Sequence, residues 1–445
     1  MSLRRPVWAL HVLVVGLALH NLVMSQLWRA GVRGTALSAI SAWKDVLLAG
    51  ALLAVFVDRR GRMFRFTICD ALALVFAGFV VVYTVIPQAK LGGGATHAGV
   101  LYGARHDLLP VGGYLLGRGL ALSKDERNRL VLTILLTAAG VAAFGLLDVY
   151  LVPLSFWRES AGWFEHQLGL RYTGLSHLPE NFIYNAGNNV VFRRLTSTFL
   201  SPLATAYLLV VALLALASRR WRFTFSAALL IFAGLLWTHT RAGLAALVVG
   251  LLVLAVLERR WLPVILAGVV LVVGVGFVDG YSHFGPRTHL TKSEQRQQEQ
   301  NAKAHPNVSN DATSANESSA REHLSSLRSG LRTVYHHPFG FGPGNSGVTA
   351  ARTHVKIEAG ESTYTELGVD LGIAGGLVFV VWSLVLLWRI LWLPWLAAAF
   401  VAVLFLGLQT DIIGIPWIAV VVWALAGSGV REVAPARGRL WPATA

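Results

Sequence analysis

The residues best suited to chemistry form one polar run, residues 335–345 with the sequence YHHPFGFGPGN, in a chain that is otherwise apolar. An imidazole titrates near pH 6.5, so it can accept a proton from a weak nucleophile such as an alcohol. His337 is held by the proline that follows it, and it is therefore our candidate general base. We interpret His336 as its surface neighbour without a catalytic part.

Several arginines flank the same side of the predicted membrane. A guanidinium group is planar, always charged and able to bind two oxygens at once, which suits a phosphate. An arginine at a membrane surface can also simply extend its charge into water, and this alternative stays open for each position taken alone. The candidates for binding a phosphorylated group are Arg193, Arg194, Arg241, Arg328 and Arg332.

Two apolar stretches carry buried charges. Lys44 and Arg105 each lie about two helical turns, roughly 10 Å, from the outer end of their stretch. One interpretation is that they form ion pairs between helices, Lys44 with Asp107 and Arg105 with Asp45. The other is that they form a basic pocket for an anionic headgroup, because charges within a membrane are costly and usually functional.

The elements that must position these residues are membrane helices. Of the 445 residues, 55% are hydrophobic and only 14% are charged. A helix of about 20 apolar residues crosses the roughly 30 Å of hydrocarbon, and lipid requires helices or closed barrels. The sequence predicts an all-α integral membrane protein with about twelve spans, at residues 7–26, 37–57, 66–86, 97–117, 130–154, 196–217, 222–238, 242–258, 261–279, 362–388, 391–409 and 412–429.

Lysine and arginine residues fall mainly on one side when the twelve spans alternate, and that side is predicted to be the cytoplasm. Both termini then lie in the cytoplasm, and the first apolar stretch is interpreted as a retained helix. Much of the net charge of +15 follows from this topology, so we do not predict nucleic-acid binding. The two long connections lie on the outer side, where we expect the function.

The second long connection has two parts. Residues 292–319 are almost free of apolar residues, so we predict weak order there. From Arg321 onward, leucines recur at helical spacing and predict a short amphipathic helix that ends at Pro338. The predicted organisation is residues 1–154 with five spans, 155–195 as a periplasmic loop, 196–279 with four spans, 280–360 as the long catalytic loop, 361–430 with three spans, and 431–445 as a cytoplasmic tail.

Other classes of site lack support in the sequence. Cys69 is the single cysteine, so disulfides within the chain and thiolate metal sites are excluded. We find no convincing spacing of histidines and carboxylates for a metal, and no phosphate-binding or dinucleotide glycine motif. The sequence therefore predicts neither a metal nor another cofactor.

Four segments together resemble the O-antigen ligase and polymerase superfamily: residues 194–202, 240–243, 337–344 and 361–372. The resemblance covers about residues 190–375. It implies a multi-pass glycosyltransferase of GT-C-like architecture in the inner membrane of a Gram-negative bacterium. Its donor would be a glycan on undecaprenyl diphosphate, and its active site would face the periplasm among membrane lipids. Gly342, Gly344 and Tyr364 in these motifs become candidates for substrate binding. One departure is that family members often have His-Asn where Glu361 and Ser362 stand here.

The acceptor separates the members of this superfamily. A ligase joins finished O-antigen to lipid A-core, and a polymerase joins repeat units. The single dominant loop before the last three predicted spans favours the ligase. Polymerases are described by pairs of Arg-x15-Gly type, and Arg171 with Gly187 and Arg328 with Gly344 have that spacing. A transporter or flippase is the alternative from another class, but no internal repeat is visible.

The resemblance and the residues together predict a single displacement that inverts the anomeric centre. His337 would act as the base, and Arg194 and Arg241 would stabilise the departing diphosphate in place of a metal.

Overall fold

The computed structural model describes residues 6–58, 66–160, 162–170, 178, 182–185, 191–218, 224–288, 292–304 and 318–430. In this part of the chain nearly all regular structure is helical, with one small antiparallel sheet in the strand order β1-β2-β3. Seven helices are long and apolar enough to cross a membrane. The protein is therefore an all-α membrane protein, as the sequence predicts.

The N-terminal part of the bundle begins with long helices joined by short turns. The helix Lys124–Leu151 begins after a capping box. The side chains of Ser123 and Glu126 each accept a hydrogen bond from the other residue's backbone N–H. The elements are α1 (Val7–Arg29), α2 (Gly34–Ser41), α3 (Trp43–Asp58), α4 (Ile68–Val85), α5 (Gln88–Leu91), α6 (His97–Leu120) and α7 (Lys124–Leu151).

The first predicted loop contains short elements that lead into four further helices. Strand β2 pairs with β1 and also with β3, which follows the fourth of these helices. The elements are α8 (Leu154–Ser160), β1 (Ile183–Asn185), β2 (Val191–Arg193), α9 (Pro202–Ala217), α10 (Thr224–Trp237), α11 (Arg241–Glu258), α12 (Leu262–Phe284) and β3 (Arg287–Thr288).

The C-terminal part holds the long loop and the last helices. Its elements are α13 (Lys292–Ala304), α14 (Ser318–His336), α15 (Gly347–Thr353), α16 (Thr363–Ile390), α17 (Pro394–Leu406) and α18 (Trp423–Gly429), the last preceded by a π-helical stretch at Ile418–Val422. Helix α14 confirms the predicted amphipathic helix. The prediction of weak order is wrong over Lys292–Ala304, where Lys, Glu, Gln and Ala are strong helix formers. Residues 305–317 and 431–445 lie outside the described residues.

Every predicted span overlaps a helix, but the helices differ in how well they suit a membrane. Four apolar helices are shorter than the seven long ones, and at 13 residues α17 rises only about 20 Å. Helix α6 is long but carries Arg105, Asp107 and Arg118, which lowers its hydropathy. The count of twelve spans stays a prediction.

The core that holds the helices together is aromatic and includes one buried ion pair. Phe76 of α4 packs on Phe379 and Trp382 of α16, with ring centroids 5.3 Å and 6.0 Å apart. Below them, Asp70 accepts hydrogen bonds from the Arg118 guanidinium at 2.9 Å and 3.0 Å. Since a buried charge needs such a partner, this pair ties α4 to α6.

We call the end of the bundle that carries residues 285–288, 292–304 and 318–362 the loop face. At this end, helix α16 is interrupted at Gly372, whose φ of 69° is left-handed. The interruption leaves backbone groups without helical partners, and the loop supplies them: Ile373 N donates to Pro338 O at 2.9 Å, and Phe341 N donates to Val369 O at 2.6 Å. The loop is thus locked to the helix by backbone hydrogen bonds.

Candidate active site on the loop face

Arg194 joins two segments that the sequence singled out separately. Its Nε donates to Thr238 O at 2.9 Å, and a terminal nitrogen donates to His239 O and to Thr240 Oγ1 at 3.3 Å and 3.2 Å. These acceptors form the turn between α10 and α11, in which His239 adopts a φ of 50°. The structure therefore brings the segment that begins at Arg194 into contact with the turn that leads into residues 240–243.

Arg241 is the first residue of α11 and lies close to Arg194. Burial is the main cause that lowers the pKa of Arg194 to about 10, Tyr281 opposes it, and the charge of Arg241 lowers it further. Arg194 therefore remains cationic at neutral pH. Two positive charges at short range in a half-buried site repel each other, and an anion bound between them would relieve that repulsion.

His239 lies in the same turn but does not titrate near neutral pH. Its ring is stacked between Tyr184 and Tyr281, with centroids 4.3 Å and 4.6 Å away. Burial, helped by the charges of Arg194 and Arg241, lowers the pKa of His239 to about 3. The ring is therefore neutral, and we assign it to packing that holds the turn in place.

His323 and Glu361 form a pair that the sequence did not point out. The Nδ1 atom of His323 lies 2.8 Å from Oε2 of Glu361, and each side chain is 41% exposed. The hydrogen bond to Glu361 is the main cause that raises the pKa of His323, while burial and the charge of Arg241 oppose it. The pair thus lies within electrostatic reach of Arg241 and is open to solvent.

The packing of α14 on α16 explains how His323 reaches this place. Gly330 lies against Thr365, and Val334 lies against Gly368. His323 precedes Gly330 by two turns on the same side of α14. Glu361 comes just before α16 and adopts a φ of 65°, a strained conformation for a residue with a side chain. Such strain is common at functional positions.

His337, the predicted base, has different surroundings. It directly follows the last residue of α14, and its ring packs on Phe341 with centroids 4.4 Å apart. Among the described residues, no hydrogen bond to the ring is found. Its backbone N–H donates to Thr333 O at 2.9 Å. Among the described residues, the His337 ring is therefore not hydrogen-bonded to Arg194 or to the turn that Arg194 binds.

Gly342 and Gly344 were predicted to bind substrate, but their conformations serve packing. Gly344 has a φ of 91°, and a Cβ there would lie 2.5 Å from the carbonyl carbon of Gly99 in α6. Beside them, Nδ2 of Asn345 donates to Gly342 O and to Oε1 of Gln88, both at 2.8 Å. This segment needs glycine because its backbone lies directly on α6.

Arg193 and Tyr364 also serve the fold. Arg193 is 5% exposed, and its guanidinium donates to Asp148 Oδ2 at 3.2 Å and to Asp148 O at 3.1 Å. The Tyr364 hydroxyl donates to Leu404 O at 2.7 Å and so ties α16 to α17. We therefore no longer assign substrate contacts to either residue. Arg328 and Arg332 lie on the exposed side of α14 and remain candidates.

The predicted ion pairs within the bundle are half right. Arg105 is paired with Asp45 at 2.8 Å, as expected. Lys44 is not paired with Asp107; its Nζ lies 2.9 Å from His20 Nε2 and 2.8 Å from Ser41 O. Lys44 and Arg105 lie near each other beside a single carboxylate, so the basic pocket remains a hypothesis.

One group of potential metal ligands escaped the sequence analysis because its members are far apart in the chain. Ligand atoms of His106, Glu366 and Asp411 all lie within 4.8 Å of one another. Spacing along the chain cannot reveal such a group, because it forms only when α6, α16 and the segment before α18 pack together.

Residues 226–380 match the family model described as O-antigen ligase. This match covers about a third of the chain and supports a member of the O-antigen ligase/polymerase superfamily. No curated protein matches it. The matched segment includes Arg241, His323, His337 and Glu361, whereas Arg194 precedes it.

The resemblance to this superfamily gives Glu361 a particular interest. The sequence departs from the expected His-Asn at Glu361 and Ser362, and in the structure Glu361 binds a histidine from α14. The departure from the family pattern was visible in the sequence, but its partner was not.

Proposed function

We propose that the protein transfers a glycan from undecaprenyl diphosphate to a sugar hydroxyl of lipid A-core, as an O-antigen ligase of the bacterial inner membrane. The match to the O-antigen ligase family supports this reaction class over a transporter. Two observations carry the proposal: the side chain of Arg194 is held on the turn that leads into Arg241, and His323 is hydrogen-bonded to Glu361. Our topology places the loop face in the periplasm, with twelve spans and both termini in the cytoplasm.

Arg194 and Arg241 bind the diphosphate of the donor. Hydrogen bonds to the turn hold the Arg194 side chain in place, so little reorganisation is needed when the anion arrives. In the reaction, the acceptor oxygen attacks the anomeric carbon and the bond to the diphosphate breaks. Undecaprenyl diphosphate leaves with the bonding electrons, and the two arginines stabilise its charge. They make a metal at the diphosphate unnecessary.

His323 takes the proton of the acceptor hydroxyl. Its Nδ1–H donates to the Glu361 carboxylate, which leaves Nε2 as the proton acceptor. Glu361 is a positioning residue: it fixes the tautomer and stabilises the imidazolium that forms, as the carboxylate of a catalytic triad does. His323 replaces His337 as our candidate base because its ring is hydrogen-bonded to a carboxylate, whereas the ring of His337 packs on Phe341. A single displacement of this kind inverts the anomeric centre.

A polymerase of the same superfamily is the second candidate, since the Arg-x15-Gly spacing at Arg328 and Gly344 is typical of polymerases. The close packing of Gly344 on Gly99 gives that glycine a structural reason instead. Arg171 and Gly187, the other pair, lie outside the described residues. For these reasons we prefer the ligase.

A lipopolysaccharide gel of a deletion strain tests this choice. For a ligase, we expect rough core and retained lipid-linked polymer. Core that carries a single repeat unit would identify a polymerase. Unchanged lipopolysaccharide together with loss of lipid-linked glycan from the outer leaflet would identify a flippase and overturn the proposal.

A further inference from the structure

A buried cluster of five ionisable residues lies where α6, α16 and the segment before α18 meet. We call it the acid cluster; its members are His106, Asp107, Glu366, Asp370 and Asp411. None of these residues takes part in the proposed transfer. Four carboxylates and one imidazole so close together in a protein interior require an explanation, because buried charges are costly unless they are compensated.

Hydrogen bonds arrange the histidine between two carboxylates. Nε2 of His106 lies 2.7 Å from Asp411 Oδ2, and Nδ1 lies 2.8 Å from Asp107 Oδ1. A metal-ligating histidine usually has one ring nitrogen held by a carboxylate and the other on the ion, and Nε2 of His106 lies against Asp411, a second potential ligand. Asp107 would therefore orient the ring, and Nε2 would face the ion.

The charges of the cluster do not balance with these residues alone. The groups that act most strongly on Glu366 are Asp411, His106, Asp370 and Asp107, and only His106 among them can be positive. Asp107 and Asp370 are each 1% exposed. Oδ2 of Asp107 and Oδ1 of Asp370 are buried without a hydrogen-bond partner among the described residues. With all four carboxylates ionised, the cluster would carry a surplus of negative charge, and two of its carboxylate oxygens are free acceptors among the described residues.

We propose that the acid cluster binds a divalent ion of the Zn²⁺ class through His106, Glu366 and Asp411. One nitrogen and two carboxylate oxygens, with water in the remaining position, form a common zinc coordination. With bonds of about 2.1 Å, a tetrahedral ion keeps its ligand atoms about 3.4 Å apart. The three residues offer ligand atoms within 4.8 Å of one another, and His106 Nε2 lies 2.7 Å from Asp411 Oδ2, so an ion would require modest side-chain shifts that move this pair apart and bring Glu366 closer.

Such an ion would hold three distant parts of the chain together. His106 belongs to α6, Glu366 to the first turn of α16, and Asp411 to the segment that leads to α18. The side chains of His106 and Asp411 are 11% and 10% exposed, so an ion can reach them. The ion would stabilise the fold near the active site without taking part in transfer.

Zinc titration of the untagged full-length protein in lipid nanodiscs tests this proposal. After treatment with a chelator and its removal, we expect the protein to bind about one Zn²⁺ per chain, as elemental mass spectrometry measures. Its melting temperature should rise with Zn²⁺. Asp411→Asn should lose both effects, whereas Glu361→Gln should keep both and show a lower maximal rate of transfer.

The stripped wild-type protein keeps the test valid even if Asp411→Asn does not fold. If monodisperse wild type binds no Zn²⁺ and its melting temperature does not change, the proposal is wrong. His106 would then be an imidazolium between Asp107 and Asp411, and protons would balance the charge. Because Glu361→Gln separates metal binding from transfer, failure here leaves the proposed function untouched.

Discussion

Two regions of the loop face carry motifs of the same superfamily, yet they are built differently. In the first region, which contains Arg194, Arg241, His323 and Glu361, polar side chains make specific hydrogen bonds: Arg194 binds a turn, and His323 binds Glu361. The region at residues 337–345 consists of backbone packed on α6 and on the interrupted helix α16. A motif rich in glycine can thus belong to an active site by shaping its wall, while the reacting groups come from elsewhere.

The two candidate histidines provide the strongest test of this contrast. His323→Ala should reduce transfer by about 10²–10⁴, the usual contribution of a general base. His337→Ala should retain activity within about tenfold, because its ring packs only on Phe341. Transfer by purified protein from lipid-linked glycan to lipid A-core measures both, with His336→Ala as the matched control. A larger loss of transfer in His337→Ala than in His323→Ala would identify His337 as the base.

The arginines should show the next largest effect. Arg241→Ala should reduce transfer by about 10²–10³, the usual cost of losing one group that stabilises developing charge. Arg194→Lys and Arg241→Lys keep the charge but lose the planar fork, so activity should lie between alanine and wild type. Transfer assays on membranes that contain equal amounts of each variant check these expectations. Full activity of both lysine variants would move the diphosphate site toward Lys44 and Arg105.

Gly344→Ala should affect the fold more than the chemistry. A Cβ at this left-handed position meets the backbone of Gly99, so we expect a loss of about 1–3 kcal/mol in stability. The melting temperature of the solubilised protein should fall, while the rate per folded molecule stays within about twofold. Gly276→Ala, whose Cβ would have no neighbour within 4 Å, is the control. A large loss of rate with normal stability would give Gly344 a catalytic part.

Removal of divalent ions should change the rate least. Since two arginines neutralise the diphosphate, chelator-treated protein should keep its transfer rate within about twofold when it is assayed well below its melting temperature. Stability can fall in the same experiment if the acid cluster loses its ion. A strict requirement for added Mg²⁺ or Mn²⁺ by folded protein would contradict the mechanism.

The sequence predicts the fold well because apolar length and helical spacing determine membrane helices locally. Helix α14 and the Arg105–Asp45 pair follow from such patterns. The pairing of His323 with Glu361 does not follow from such patterns. The two residues are 38 positions apart in sequence, and their contact depends on how α14 packs on α16. The same holds for His106 and Asp411, 305 residues apart.

The roles of the glycines also require the structure. A run such as residues 340–344 has the same letters whether its backbone binds a ligand or packs on a helix. Only the short approach of Gly344 to Gly99 decides between these roles. The roles of Arg193 and Arg194 also require the structure. Arg193 is paired with Asp148, whereas its neighbour Arg194 binds the turn before α11.

The pH dependence of the transfer rate tests the central claim most directly, because it reports the proton acceptor itself. His323 must be neutral to accept a proton, so the rate should rise with pH through its pKa. Glu361 raises that pKa above the usual 6.5. In Glu361→Gln the carboxylate charge is lost, so the rise should move to lower pH and the maximal rate should fall. An unchanged position of the rise in Glu361→Gln would show that the His323–Glu361 pair is not the base.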